Sequence, residues 1–122
     1  LAGAVKVGTG AILAGYAIVH QFCSVGAHSF CAMGSTVNKD IPAFVRVRGN
    51  PAKPYGINSV GLKRLGFSSR AIEALRSAYR LIYRKNLTIE EALKELRPLE
   101  QKHKEVKLFS QTIKKSSRGI VR

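Results

Sequence analysis

The chain has 122 residues, the length of one domain or of two very small ones. At 45% apolar residues it is too hydrophobic for disorder, and no apolar run approaches the ~18 residues that a membrane-spanning helix needs. A formal charge of +14 points to an anionic partner, while two cysteines, Cys23 and Cys31, exclude a disulfide scaffold and fit a reducing cytoplasm. No His/Cys cluster has metal-ligand spacing, so no metal site is expected. The sequence opens on Leu1 with no charged segment ahead of an apolar one; no signal peptide is expected, and the pattern reads as beginning inside a longer structure.

Charge divides the chain. Residues 1–40 carry +1 and residues 41–122 carry +13, and six of the eleven glycines fall before the boundary. Leu1, Val7, Leu13, Val19, Val25, Cys31 and Val37 are apolar and spaced by six. The next position in each hexad is mostly small (Ala2, Gly8, Ala14, Gly26, Ala32), and the fifth is small or apolar (Val5, Ala11, Ala17, Cys23, Ser29, Ser35). Neither a helix nor a simple strand gives strict sixes, whereas a parallel β-helix does. In the left-handed form three hexads close one triangular coil, so residues eighteen apart stack about 4.8 Å from each other. This places Gly3 under Gln21 and Lys39, and Gly15 under Met33, all pointing outward, with Cys23 and Cys31 inward.

After Val37 the hexads fail, and Ile41 to Arg48 reads as a strand leaving the coil. Residues 49–58, with Gly49-Asn50-Pro51-Ala52-Lys53-Pro54, read as a connecting loop. Residues 59–122 form a helical domain on this reading. Asn58 or Ser59 caps a short helix through Leu65 that Gly66 closes. Ser68 opens a longer one with Ala71, Ile72, Leu75, Ala78, Tyr79 and Ile82 on its apolar face. Thr88 and Glu91 form a capping box for a helix whose stripe stops at Pro98. Val106, Phe109 and Ile113 predict a last helix before a basic tail. The expected architecture is the last coils of a left-handed parallel β-helix (residues 1–48), a loop (49–58) and a small α-helical domain.

Among candidate functional residues, His20 replaces the small residue of its hexad beside outward Gln21, so coil packing gives no reason for it. For His28, elsewhere on the coil, a surface or structural reading weighs as much as a functional one, and His103 reads as solvated. Cys23 is inward with nothing to activate it. Arg76, Arg80 and Arg84 recur at four-residue spacing and put like charges on one helix face, either as a solvated face or as a surface for an anion. No nucleic-acid motif and no stacking platform accompany the charge.

Leu1-Ala2-Gly3, Val19-His20-Gln21-Phe22-Cys23, Gly26-Ala27-His28, Gly61-Leu62-Lys63-Arg64-Leu65-Gly66-Phe67, Ala78-Tyr79-Arg80-Leu81-Ile82-Tyr83-Arg84 and Arg118-Gly119-Ile120-Val121-Arg122 together resemble UDP-N-acetylglucosamine O-acyltransferase, the enzyme of the first acyl transfer in lipid A synthesis. The resemblance covers the whole chain. It implies a cytoplasmic homotrimer with active sites between subunits, moving a 3-hydroxyacyl group from acyl carrier protein to the 3-hydroxyl of UDP-N-acetylglucosamine. No cofactor is implied beyond the carrier's own phosphopantetheine, and neither nucleic acid nor a membrane span is expected. It assigns the oxyanion N–H to Gly3, substrate contacts to His20 and Gln21, and the nucleotide end to Asn58 and Arg64. The acidic carrier protein would account for the basic C-terminal surface. Met33 matches the position that limits acyl length. Where glycine there admits about fourteen carbons, methionine is expected to shorten the chain to about ten.

Three positions depart from the family pattern: Ala4 replaces a frequent histidine, and Val60 and Leu65 replace a glutamate and an arginine of the nucleotide site. The catalytic histidine lies upstream of the segment matching Leu1, so the chain alone is expected to be inactive. The N-acyltransferase of the same pathway shares the coil but not the C-terminus. The alternative of another class is a non-catalytic basic module that binds nucleic acid or an acidic protein.

Overall fold

The computed structural model describes residues 3–122; Leu1 and Ala2 lie outside the described residues. Six two-residue strands come first: β1 (Lys6–Val7), β2 (Ile12–Leu13), β3 (Ile18–Val19), β4 (Ser24–Val25), β5 (Phe30–Cys31) and β6 (Thr36–Val37). Each pairs in parallel with the strand three further on, Val7 with Val25, Leu13 with Cys31 and Val19 with Val37, which is the eighteen-residue stacking that the hexads require. Three short sheets result, one for each face of a triangular coil.

The corners follow the same period. Ala4, Gly10, Tyr16, Phe22, His28 and Gly34 all have φ between 56° and 74°. Each corner therefore turns through one left-handed residue, a conformation that costs a side-chain-bearing residue free energy and is supported by the stacked coil. The small second position of the hexad also has a steric cause. A Cβ on Gly8 would come 2.5 Å from the backbone nitrogen of Ala27, and one on Gly26 would come 2.4 Å from that of Ala43. Inside the coil Val19, Val25, Cys31 and Val37 are fully buried or nearly so, whereas Val7, at the same hexad position, is 44% exposed. Buried Ser29 and Ser35 donate from Oγ to the carbonyls of Gly26 and Ala32 at 2.7 and 2.6 Å, so neither of these two buried hydroxyls is left unpaired.

Ile41 to Arg48 does not leave the coil. Ile41 bridges Val25, and β7 (Val45–Arg48) pairs in parallel with β5, Phe30 opposite Arg46 and Cys31 opposite Val47. The stacking distance along the chain falls from eighteen to sixteen residues, so the coil continues with two residues fewer and the hexad pattern loses its register. The segment expected as a loop carries a further strand, β8 (Lys53–Ile57), which folds back antiparallel on β7 and ends the four-stranded face β2-β5-β7-β8.

Four helices follow: α1 (Ser59–Arg64), α2 (Ser69–Tyr83), α3 (Ile89–Lys102) and α4 (Lys104–Lys114). Ser68 Oγ accepts the Ala71 N–H at 3.1 Å, and Thr88 and Glu91 form both bonds of the capping box. α3 runs through Pro98 instead of stopping there. Proline deletes one intrahelical bond, but Leu99 beyond it packs on the core and Glu100 accepts a hydrogen bond from Ser110, so the helix gains by continuing.

The helices and the coil share one core. Thr112 Oγ1 on α4 accepts the Ala43 N–H at 3.0 Å. The C-terminal segment docks rather than trailing: Asp40 donates its N–H to Gly119, accepts that of Val121, and bridges Ile120. The Asp40 carboxylate also accepts the Ser24 N–H at 2.8 Å and the Ser116 hydroxyl at 2.7 Å.

Candidate functional site

Asn58 stands at the junction of coil and helices. Its N–H donates to Phe44 at 2.7 Å, its carbonyl accepts the Leu62 N–H at 3.0 Å, and its side-chain Nδ2 donates to the His28 carbonyl at 3.1 Å. It begins α1 without capping it by its side chain, because that side chain is committed to the coil corner. Gly61 makes this possible: a Cβ there would lie 2.6 Å from Asn58 Nδ2. The His28 ring stacks on Phe44 with centroids 5.7 Å apart and meets Phe67 edge-on at 5.5 Å. His28 is thus part of an aromatic group that seats α1 on the coil, the structural one of its two expected readings.

Arg64 extends from the last turn of α1 and shares a cleft of about 220 Å³ with Asn58, Gly61 and Val60. Ile12 and Phe30 form the wall on the coil, and Arg46 and Tyr55 the wall on the hairpin. The guanidinium carbons of Arg46 and Arg48 lie 4.7 and 4.6 Å from the centre of the Tyr55 ring. Two guanidiniums, an aromatic face and an amide converge with no carboxylate among the lining residues. That set suits an anionic ligand with a flat ring, since guanidinium pairs with phosphate oxygens through two N–H groups. Val60 and Leu65 remain 55% and 61% exposed on α1, apolar where charges stand in the family pattern.

The structure brings Asn58 and Arg64 together but separates the other sequence-predicted residues. Gly3, His20 and Gln21 are exposed at one corner of the coil, where the Gly3 carbonyl accepts the Phe22 N–H. His28, and with it Asn58, belongs to the second corner. Met33 is at the third corner, 73% exposed, beside the Gly34 N–H that donates to Gly15. Within the chain these groups therefore face different directions. Sequence reasoning missed Arg46 and Tyr55, whose place depends on the β7–β8 pairing; the alternation Val45-Arg46-Val47-Arg48 was the available signal, since it puts both arginines on one side of a strand.

A second cavity, of about 520 Å³, lies between the hairpin and α2 and is lined by Arg46, Gly56, Ile57, Ser59, Arg76, Tyr79, Arg80 and Arg84. Burial pushes the Tyr79 phenol above its usual range, opposed by hydrogen bonding to Arg84. Both cysteines are buried and free; burial pushes the Cys31 thiol up to about 11, which leaves no reactive thiolate near neutrality. Among the described residues no group of three His, Cys, Asp or Glu side chains is placed to hold a metal ion, and no helix is long and apolar enough to cross a membrane.

Short parallel strands stacked as β-helix coils, followed by a four-helix domain, define a hexapeptide-repeat protein with a helical C-terminal appendage. Residues 40–121 match the family model described as "Udp N-acetylglucosamine O-acyltransferase; Domain 2". The acyl-[acyl-carrier-protein]–UDP-N-acetylglucosamine O-acyltransferase of Pseudomonas putida strain W619 is 53% identical over all 122 residues, which are 47% of its own length. The UDP-N-acetylglucosamine O-acyltransferase of Moraxella catarrhalis superposes with a TM-score of 0.91 at 40% identity, covering 98% of this chain and 49% of that one. The Arabidopsis acyltransferase gives 0.92 at 36% identity, with 100% and 46% covered. The chain belongs to the UDP-N-acetylglucosamine O-acyltransferase family of lipid A synthesis. It spans about half the length of the relatives it matches.

Proposed function

We propose that the chain is the C-terminal part of an acyltransferase that moves a 3-hydroxyacyl group from acyl carrier protein to the 3-hydroxyl of UDP-N-acetylglucosamine. The observation that carries this reading is the cleft uniting Asn58, Arg64, Arg46 and Tyr55, whose donors and aromatic face suit a uridine nucleotide. In the reaction the sugar hydroxyl attacks the thioester carbonyl while a histidine base takes its proton. The carbonyl oxygen gathers negative charge, and the exposed Gly3 N–H is the donor for it. Collapse of the tetrahedral intermediate forms the ester and expels the phosphopantetheine thiolate, which takes up the proton. The chain spans about half the length of its relatives and the base matches none of its residues, so the chain alone is expected to be inactive.

Gly3, His20 and Gln21 face away from the cleft within a protomer, which supports a homotrimer whose active sites lie between neighbouring subunits, the first corner of one against the α1 cleft of the next. The uneven charge, +13 after residue 40, supports docking of the acidic carrier protein on the helical domain in the cytoplasm. The test is acyl transfer by the full-length protein, with UDP-N-acetylglucosamine and 3-hydroxyacyl carrier-protein donors of graded length. Transfer is expected, and loss of it in Arg64→Ala ties the cleft to the acceptor. No transfer with any donor, together with salt-dependent binding to arbitrary DNA, would replace this reading with a basic binding module.

A further inference from the structure

The cavity between the hairpin and α2 is not explained by the cleft at α1. Arg46 enters it from β7, Arg76 and Arg80 enter it from successive turns of α2, and Arg84 from the residue that caps the helix. Like charges at four-residue spacing work against the helix that carries them. No carboxylate lines the cavity; Glu73 pairs with Arg76 alone, so three guanidiniums are left without a counter-charge. The Nε of Arg46 is buried and has no hydrogen-bond partner, an unfavourable state for a charged donor. Ser59 and Tyr79 add hydroxyl-bearing side chains to the wall, so the cavity is rich in donors and has no acid to satisfy them.

We propose that this cavity is a binding site for a diphosphate-class anion, separate from the Asn58–Arg64 cleft and adjoining it through Arg46. A single phosphate is too small to engage both walls: Arg76 and Arg84 are eight residues apart, roughly 12 Å along the helix. Two linked phosphates offer oxygens to guanidiniums on both sides at once and carry the charge that the three free arginines lack. At about 520 Å³ the cavity also leaves room for a group attached to the diphosphate. A carboxylate on a docking protein would meet the exposed Arg80 and Arg84 on one wall, whereas a small anion can enter between them and Arg46 on the other. The source is either free pyrophosphate or the diphosphate of a nucleotide.

The experiment is calorimetric titration of the full-length protein with pyrophosphate and, separately, with UDP. It compares wild type, Arg80→Gln/Arg84→Gln and Arg64→Gln, with thermal melts of each variant as the folding control. Pyrophosphate is expected to bind wild type and Arg64→Gln alike, and to bind the double variant at least about tenfold more weakly. UDP binding weakened by both sets of substitutions would make the nucleotide the source; UDP binding weakened by Arg64→Gln alone would leave free pyrophosphate. No pyrophosphate binding by wild type, or binding that the double variant keeps at full strength while its melting is unchanged, overturns the proposal. So does binding of an acidic carrier protein, but not of pyrophosphate, that depends on Arg80 and Arg84. None of these readouts uses acyl transfer, so failure here and failure of the acyltransferase reading are distinguishable.

Discussion

Gly61 holds its place because Asn58 needs the space. A methyl group 2.6 Å from Nδ2 and 2.9 Å from Oδ1 must push the amide off the His28 carbonyl. Gly61→Ala is therefore expected to raise KM for UDP-N-acetylglucosamine by roughly tenfold with little change in kcat, since the lost contact is made in the ground state and transition state alike. Steady-state kinetics of the full-length protein check this; a fall in kcat at constant KM would separate Asn58 from acceptor binding. Met33 acts through volume. It projects from the third corner, 73% exposed, and glycine there removes the whole side chain. Met33→Gly is expected to move the preferred acyl length from about ten carbons toward about fourteen, read by product mass after competition between donors. An unchanged profile would make Met33 ordinary surface. Asn58, Arg64 and Met33 are named through the family resemblance, which local motifs carry, and the structure sets the first two on one cleft. Arg46 was not legible, since its neighbours Tyr55, Asn58 and Arg80 are set by strand pairing and helix packing.

At the scale of elements, the hexads made the first six strands legible because coil stacking imposes one rule on every repeat. That rule also hid where the next strand goes: Ile41 to Arg48 reads as a strand leaving the coil, but two residues fewer between Cys31 and Val47 break the period without breaking the pairing. The capping box of α3 is local chemistry and was readable, and Thr88→Ala is expected to lower stability by about 1 kcal/mol in denaturant unfolding. The docked tail was not readable, because Asp40 acts across 76 residues to Ser116. An amide at Asp40 could keep both bonds by donating to the Ser116 hydroxyl, so the informative change is to alanine, which leaves the Ser24 N–H and the Ser116 hydroxyl without their acceptor. Asp40→Ala is expected to cost about 1–3 kcal/mol and to raise proteolysis near residue 116. Unchanged protease sensitivity would leave the tail held by its backbone bridge alone. Cys31 in β5 sets an alkaline limit. Its thiol stays protonated up to about pH 11 when folded but ionises near 9.0 when unfolded. Its contribution is complete below pH 9, falls by up to about 1.4 kcal/mol per pH unit as pH rises, and is lost above pH 11. Cys31→Ala should flatten that decline in unfolding curves taken across the window.

For the molecule as a whole, a triangular coil presents its three corners in three directions, and the residues assigned to one reaction sit on different corners. Gly3, His20 and Gln21 occupy the first, the Asn58–Arg64 cleft adjoins the second, and Met33 projects from the third. A prism cannot fold so that its own corners meet, but three copies around an axis bring unlike corners together at every interface. The proposed sharing of the site between subunits predicts complementation. Full-length His20→Ala and Arg64→Ala are each expected to be nearly inactive as homotrimers. Unfolded together in equal amounts and refolded, they assemble mixed trimers in which some interfaces receive an intact His20 from one subunit and an intact Arg64 from its neighbour. With random mixing, activity is expected to return to about one quarter of the wild-type value. Simple mixing without unfolding, which exchanges no subunits, should return none. If the refolded mixture stays inactive while sizing as a trimer, His20 and Arg64 serve the same site from the same chain. The assignment of neighbouring corners to each active site would then have to be redrawn.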